Sequence, residues 1–385
     1  MHQRPPLILH VFSSFGVGGV QVRFTSIVNR FAGRWRHAII AMDGDLSCRD
    51  RLDPGLDLQF PEVEICKGDT IGNALRFRRL LRRLRPDLLV TSNWGTIEWS
   101  MANAVPIVRQ VHIEDGFGPD DREGRLPRRA LARRLLLRKR IVVLPSRTLW
   151  TIATRIWRLD PGRLRYIPNG IDLARFAGPS TAMHRPSRSA VVGTVAALRA
   201  EKNIGRLLRA FAVAAHGSQT RLIVAGDGPE RDGLQKLAQE LGVGGRVQFA
   251  GHVAQPAALF RQFDIFAMSS DTEQMPLSLL EAMAAGLPVA STDVGDIRSM
   301  LAAGNGAYVT ALDDGALAAS LRTLIEQDAL RRELGAANRV KAERDFDQTK
   351  MFQAWAAVFD GTSASVRPSD QQTAPAISLF SANAA

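Results

Sequence analysis

Two glutamates eight residues apart, Glu273 and Glu281, bracket the run Gln274-Met275-Pro276-Leu277-Ser278-Leu279-Leu280. Pro276 suits the first turn of a helix and Gly286 the residue just past its end, so the run predicts a helix reaching about Ala285. The unpaired N–H groups of its first turn would form an anion site. Glu273 then lies just before the helix, and Glu281 more than a turn inside it. An ionised carboxylate accepts hydrogen bonds from two hydroxyls at once, as holding a sugar ring or a ribose requires. Spacing alone fits two solvated helix-end charges equally well. Lys202, in Glu201-Lys202-Asn203, stands at the start of another helical pattern and could neutralise an anion there, although a merely exposed lysine would look the same.

His112 ends an apolar run and opens Ile113-Glu114-Asp115-Gly116-Phe117-Gly118, a loop too polar and Gly-rich for a core. A lone His is more often structural, but the carboxyl end of a strand is where an α/β protein does chemistry. Glu114 and Asp115 either meet acceptor hydroxyls or are solvated loop charges. No His and carboxylate spacing points to a metal, and two cysteines, Cys48 and Cys66, are too few for a disulfide framework; both read as inert thiols.

The elements that must position these residues are short apolar runs alternating with helical patterns. Strands are expected at 7–12, 37–42, 87–91, 106–112 and 140–144, and again at 190–196, 222–225, 247–250, 265–268 and 288–291. Helices are expected between them, among them 204–215 and 230–241. Near-continuous apolar strands with intervening helices imply parallel sheets covered on both faces. The chain has 385 residues, 45% hydrophobic and 23% charged, which fits two such domains. The expected division is a first domain at 1–168, a second at 169–346, a helix at 347–360 returning to the first, and a disordered tail at 361–385. The hinge falls between 168–170 and the Pro-, Ser- and Arg-rich stretch 177–189. No apolar stretch reaches the roughly 18 to 20 residues that cross a bilayer. The uncharged run 5–22 reads as a strand entering a Gly-rich loop rather than as a signal peptide.

Five motifs in order resemble the retaining glycosyltransferases of family 4: Gly16-Val17-Gly18-Gly19-Val20, Ile167-Pro168-Asn169-Gly170-Ile171-Asp172, Glu201-Lys202-Asn203, Val224-Ala225-Gly226-Asp227-Gly228-Pro229, and the Glu273 to Glu281 stretch. The resemblance covers about residues 7 to 360. It implies the GT-B fold, an α/β pair of Rossmann-like doubly wound domains facing across a cleft, with the acceptor in the first and a nucleotide sugar in the second. By the same resemblance Glu281 would hold the ribose and Glu273 the donor sugar. The N–H groups around Met275, Pro276 and Leu277 would receive the distal phosphate, and Lys202 would neutralise the leaving diphosphate. Gly18 and Gly19 would face the donor, and His112 the transferred sugar. Backbone near Gly251, His252 and Val253 would meet the base, uridine being favoured over guanosine. The family's usual Arg five residues before the Lys is here Ala197, so Arg199 is expected to take its place. No cofactor and no metal are implied.

Residues 1–170 carry 29 Lys and Arg against 16 Asp and Glu, whereas the remainder carries 21 against 22. The excess concentrates in 76–85 and 125–140. In the first of these Phe77, Leu80, Leu81 and Leu84 share a helical arc and six arginines surround it. Such faces attract anionic lipid. The expectation is a cytoplasmic enzyme, peripheral on the inner membrane face, passing a sugar to a lipid-linked or polysaccharide acceptor. A nucleotide-sugar epimerase of the same architecture is the alternative. Binding to nucleic acid is not expected, because the basic segments lack interleaved aromatics.

Overall fold

The apolar runs form two parallel sheets in a computed structural model that describes residues 4–117, 126–176, 189–253 and 255–368. One unit holds the described residues through Pro168 and those from Met351 onward; the other holds Asn169–Lys350. The first unit contains strands β1 (Leu7–Phe12), β2 (Arg36–Ala41), β3 (Leu58–Gln59), β4 (Leu88–Ser92), β5 (Arg109–Ile113), β6 (Ile141–Leu144) and β7 (Leu164–Tyr166). Their order is β3-β2-β1-β4-β5-β6-β7. Its helices are α1 (Gly19–Arg30), α2 (Thr70–Leu84), α3 (Ile97–Ala102), α4 (Pro127–Leu137) and α5 (Arg147–Arg155).

The second unit contains β8 (Val191–Val195), β9 (Arg221–Ala225), β10 (Val247–Gly251), β11 (Ile265–Met268), β12 (Val289–Thr292) and β13 (Val309–Thr310), in the order β10-β9-β8-β11-β12-β13. Helices α6 (Ile204–Ala214), α7 (Arg231–Glu240), α8 (Ala257–Phe260), α9 (Leu277–Ala284), α10 (Ile297–Met300), α11 (Asp314–Glu326) and α12 (Asp328–Asp345) cover it. Alternate strand residues serve opposite faces. Val192, Leu222, Val224 and Ile265 pack with Leu207 and Phe211 of α6 and Leu321 of α11, whereas Val191, Ile223 and Phe266 pack with Leu279 and Met283 of α9. Both sheets are the doubly wound, Rossmann-like kind that the sequence patterning predicts.

Strand β1, the core of the uncharged run 5–22, is buried throughout and pairs with both β2 and β4. Strand β5 starts three residues later than expected. Pro106 has no N–H to give a ladder, and Asn103 accepts from Ile107 N at 2.9 Å and donates to Val108 O at 3.0 Å, holding the segment in a turn. The last helix, α13 (Gln348–Asp360), brings Met351, Phe352, Trp355 and Phe359 against Ile8, Val90 and Val111 of the first sheet. Arg109 donates to the carbonyls of Val358 and Phe359, which a helix end leaves unpaired.

The disordered tail expected from 361 does not begin there. Tyr166 N donates to Val366 O at 3.1 Å, Arg165 Nε to Ser363 Oγ at 3.0 Å and Ser365 Oγ to Pro161 O at 2.8 Å. Backbone pairing needs no bulky side chain, so composition missed it. The rest of that tail from 369, and 177–188 of the expected hinge, lie outside the described residues.

Candidate active site

The second sheet reverses direction between β8 and β11, since the chain winds outward from β8 to β10 and then from β11 to β13. Open α/β sheets leave a crevice at the carboxyl ends of such a strand pair. Lys202 follows β8 and Glu273 follows β11, so the switch point brings them together: Lys202 Nζ donates to Glu273 Oε1 at 2.5 Å. Ser270 Oγ donates to the same oxygen at 2.9 Å. The pair is partly open, with side chains 23% and 9% exposed.

Residues to which no role at the site was assigned hold this pair in place. Asn203 adopts a left-handed backbone (φ 43°), which Asn tolerates, and its Oδ1 accepts from Arg206 N at 3.1 Å to cap α6. Its Nδ2 donates to Asp271 at 3.2 Å, and Arg206 NH1 donates to Asp271 Oδ1 at 2.6 Å. The two loops that carry Lys202 and Glu273 are thereby tied by one carboxylate. Gly295 (φ 56°) lies so close that a Cβ there would fall 2.2 Å from Glu273 O. Asn169 Nδ2 donates to Met275 O at 2.8 Å, anchoring the chain before α9. The Pro-Asn-Gly sequence signals a turn at Asn169; nothing local marks Arg206 or Asp271 as partners.

Pro276 sits one residue earlier than expected. It is the residue before α9 and not within its first turn, its ψ of 130° being extended. A proline has no N–H, so the free donors are those of Leu277, Ser278 and Leu279. Met275 is buried in the core below, 6% exposed. Gly286 (φ 71°) ends the helix as expected of a glycine there. Glu281 lies in the second turn, where burial pushes its carboxyl up to about 7 against the pull of Arg175. Arg199 is exposed and makes no ion pair among the described residues, leaving its guanidinium available beside Ala197. His252 and Val253 follow β10, and Gly251 O accepts from Gly226 N at 2.7 Å.

In the first unit Gly18 is the extended residue before α1 and Gly19 its first residue. A Cβ on Gly18 would meet only Gln21 Oε1, at 2.8 Å, the movable end of a long side chain, and with φ −158° the backbone there is open to any residue. Two other expectations need correction. Glu114 is buried, 0% exposed, and Arg133 of α4 grips it with Nε and NH2 at 3.0 and 3.2 Å. Asp115 is held equally by Arg23, at 2.7 and 2.8 Å. Neither carboxylate has a free face for an acceptor. His112 is also buried; its Nδ1 lies 2.9 Å from Thr91 Oγ1 and its Nε2 3.4 Å from Glu114 Oε2. Both ring nitrogens therefore have protein partners, and a contact to a sugar would need one of them released.

Residues 17–175 match the family described as Glycosyltransferase Family 4, and residues 182–341 that described as Glycosyl transferases group 1. Over 162 residues, 42% of each chain, the protein is 28% identical to N-acetyl-alpha-D-glucosaminyl L-malate synthase of Bacillus anthracis. Over 114 residues, 29% of this chain and 34% of the relative, it is 39% identical to the lipopolysaccharide core biosynthesis glycosyltransferase LpsE of Rhizobium meliloti. The chain therefore spans less than half the length of these curated relatives. Its fold is similar to that of Anabaena Alr3699/HepE, crystallised in complex with UDP-glucose, with a TM-score of 0.77, 19% identity, and 92% of this chain and 100% of that one covered. Both halves match in order on two Rossmann-like units, and the chain belongs to the family 4 type of glycosyltransferases with GT-B architecture.

Proposed function

We propose that the protein moves a sugar, with retention at the anomeric carbon, from a nucleoside diphosphate sugar to a lipid-linked or saccharide acceptor. The observation that carries this reading is the convergence of Lys202, Glu273 and the start of α9 at the switch point between β8 and β11. The N–H groups of Leu277 to Leu279 take the distal phosphate. Lys202 and Arg199 neutralise the leaving diphosphate, Glu273 binds donor hydroxyls, and Glu281 binds the ribose. The reading needs no resident cofactor, and these cations supply the charge that a metal would otherwise bring. HepE's UDP-glucose supports a uridine donor over a guanosine one, and LpsE's role in lipopolysaccharide core synthesis supports a lipid-linked saccharide acceptor.

Retention by double displacement would need a free carboxylate as nucleophile. In this reading Glu273 is given to the donor's hydroxyls and Glu281 to the ribose, and Glu114 and Asp115 are locked by arginines. The reading is therefore front-face transfer. The glycosidic bond to the diphosphate breaks, the acceptor oxygen bonds the same face of the anomeric carbon, and the departing phosphate oxygen takes the acceptor's proton. A thermal-shift screen of nucleoside diphosphate sugars identifies the donor. Proton NMR of the fresh product then tests the mechanism, because a β-linkage from an α-linked donor overturns it. Conversion of donor without acceptor indicates the epimerase.

Glu281 gives this reading a pH signature. Only its ionised form accepts both ribose hydroxyls, and burial places its titration near 7. Affinity for the nucleoside diphosphate is expected to fall as pH drops from 8 to 6, by up to about tenfold per unit below that value. In Glu281→Gln affinity is weaker at pH 8 and the slope disappears. A wild-type affinity independent of pH, measured by calorimetry, removes the carboxylate from the ribose site.

Peripheral binding at the inner face of a membrane belongs to the same proposal, with a correction to its surface. Of the six arginines in 76–85, Arg76 pairs with Asp69 at 3.1 Å and Arg78 donates to Ala102 O and Val105 O at 2.8 and 2.9 Å. The outward set is Arg79, Arg82, Arg83 and Arg85. In 125–140, Arg133 and Arg140 are buried, and Arg128, Arg134, Arg138 and Lys139 are exposed beside Leu131 and Leu135; residue 125 lies outside the described residues. No helix of the described residues is long and apolar enough to cross a membrane. Arg79→Gln/Arg82→Gln/Arg83→Gln is expected to lose most of its sedimentation with phosphatidylglycerol vesicles at low salt, each cation being worth roughly 1 kcal/mol. Unchanged sedimentation would take α2 out of the membrane face.

A further inference from the structure

The first sheet has a second polar end. Strands β5, β6 and β7 are parallel neighbours, and at their amino ends, away from the loop that carries His112, lies a recess of about 420 Å³. Its polar lining is Arg109, Gln110, Lys139, Arg140 and Arg163, its apolar lining includes Ile107 and Ile141, and no carboxylate or aromatic ring among the described residues lines it. The Arg109 guanidinium, although part of that lining, is spent on the carbonyls of α13.

Arg140 is the telling residue. It is only 8% exposed, and although NH2 donates to Asn103 O, its Nε is buried without a partner. Burial with no compensating carboxylate pulls its pKa below the usual guanidinium value. A buried cation with no carboxylate beside it is costly, and an anion in the recess that Arg140 lines would offset its charge. Lys139 and Arg163 stand beside it, exposed; Arg163 NH1 donates only to Lys139 O at 3.3 Å and so keeps donors free. Two guanidiniums and an ammonium converging without an acid match the several oxygens of a phosphate. Gln110 is turned to Thr91 and Ser100 and does not compete.

We propose that this recess is a second anion site, separate from the donor site, which takes a phosphate group. The rim decides what carries that phosphate. Ile107 is 41% and neighbouring Val105 71% exposed, so apolar surface meets the cations where a nucleotide would want a ring to stack on. A phosphate attached to an apolar body, as in a phospholipid headgroup, fits both features.

The test is calorimetric titration of the full chain with inorganic phosphate, comparing wild type with Lys139→Gln/Arg163→Gln and with Arg79→Gln/Arg82→Gln/Arg83→Gln. Both pocket residues are exposed, so folding is retained. Wild type and the α2 variant are expected to bind alike, and the pocket variant on the order of tenfold or more weaker. Phosphatidylcholine vesicles with and without phosphatidic acid then identify the source. Sedimentation of the α2 variant with the phosphatidic acid vesicles, lost when Lys139→Gln/Arg163→Gln is added, assigns the site to a lipid phosphate. Phosphate binding without vesicle binding assigns it to a soluble phosphate compound. No phosphate binding by wild type, or equal weakening in both variants, overturns the proposal.

Discussion

Glu114→Ala is expected to destabilise the first unit by about 3 to 5 kcal/mol, the usual cost of removing one partner from a buried ion pair. Arg133 is only 1% exposed, with its guanidinium packed 4.7 Å from the Trp157 ring centroid and 5.1 Å from that of Trp94. Without Glu114 it loses the carboxylate that both Nε and NH2 grip at a buried site, and His112 loses the carboxylate beside its Nε2. An acceptor-binding glutamate would behave differently, raising KM in a protein that unfolds like wild type. Urea unfolding separates the two outcomes. A cooperative transition at unchanged midpoint would return Glu114 to the acceptor site.

Two further measurements isolate the pair. Replacing both partners with apolar residues of similar volume, Glu114→Leu/Arg133→Met, should recover most of the lost stability, because the buried pair is then removed as a unit and neither member is left without the other. The pH dependence has a definite sign. Burial opposes ionisation of Glu114, but the His112 contact and the Arg133 charge outweigh it and hold the carboxyl below 4.5. A carboxylate depressed in the folded state stabilises fully above its unfolded value near 4.5, and that contribution is lost as pH falls through the folded value. Acid unfolding of wild type should therefore steepen below pH 4.5, and the apolar double variant should lack that component.

What was legible in the sequence was what local periodicity reports. The ten expected strands are found within a few residues because Val- and Ile-rich runs buried on both faces leave little choice of element, whereas the short β3, β7 and β13 were not foreseen; the Pro276 to Gly286 punctuation locates α9 to within a residue. Pairings across the chain were not legible. Asp115 and Arg23 are 92 residues apart, and Lys202 and Glu273 are 71 apart. A charge in a polar loop looks the same whether it waits for a ligand or is already neutralised, which is why Glu114 and Asp115 read as acceptor contacts. The helical arc of α2 gave its buried side correctly, Phe77, Leu80 and Leu81 being 0 to 5% exposed. It could not reveal that the carbonyls of Ala102 and Val105 would take Arg78, since those belong to another segment.

The pairing of Lys202 with Glu273 leads to the largest expected kinetic effect. At 2.5 Å the ammonium is already neutralised, so it can serve a leaving diphosphate only if Glu273 finds another partner. The donor sugar's hydroxyls are that partner in the proposed function. A complete nucleotide sugar thus splits the pair and uses both halves, whereas a nucleoside diphosphate must compete with Glu273 for the lysine. Lys202→Ala removes the charge that grows most useful as the glycosidic bond breaks, and its turnover is expected to fall on the order of a hundredfold or more, as when one oxyanion donor is deleted. Glu273→Gln should act in opposite directions on two measurements. Freed from its carboxylate, Lys202 should bind the nucleoside diphosphate as tightly as in wild type or more so, while turnover falls because the sugar loses its acceptor of hydrogen bonds. A simple structural ion pair predicts neither result: both variants would lose diphosphate affinity and stability together. Calorimetry with the nucleoside diphosphate alone, set beside single-turnover rates with the sugar donor, distinguishes the two.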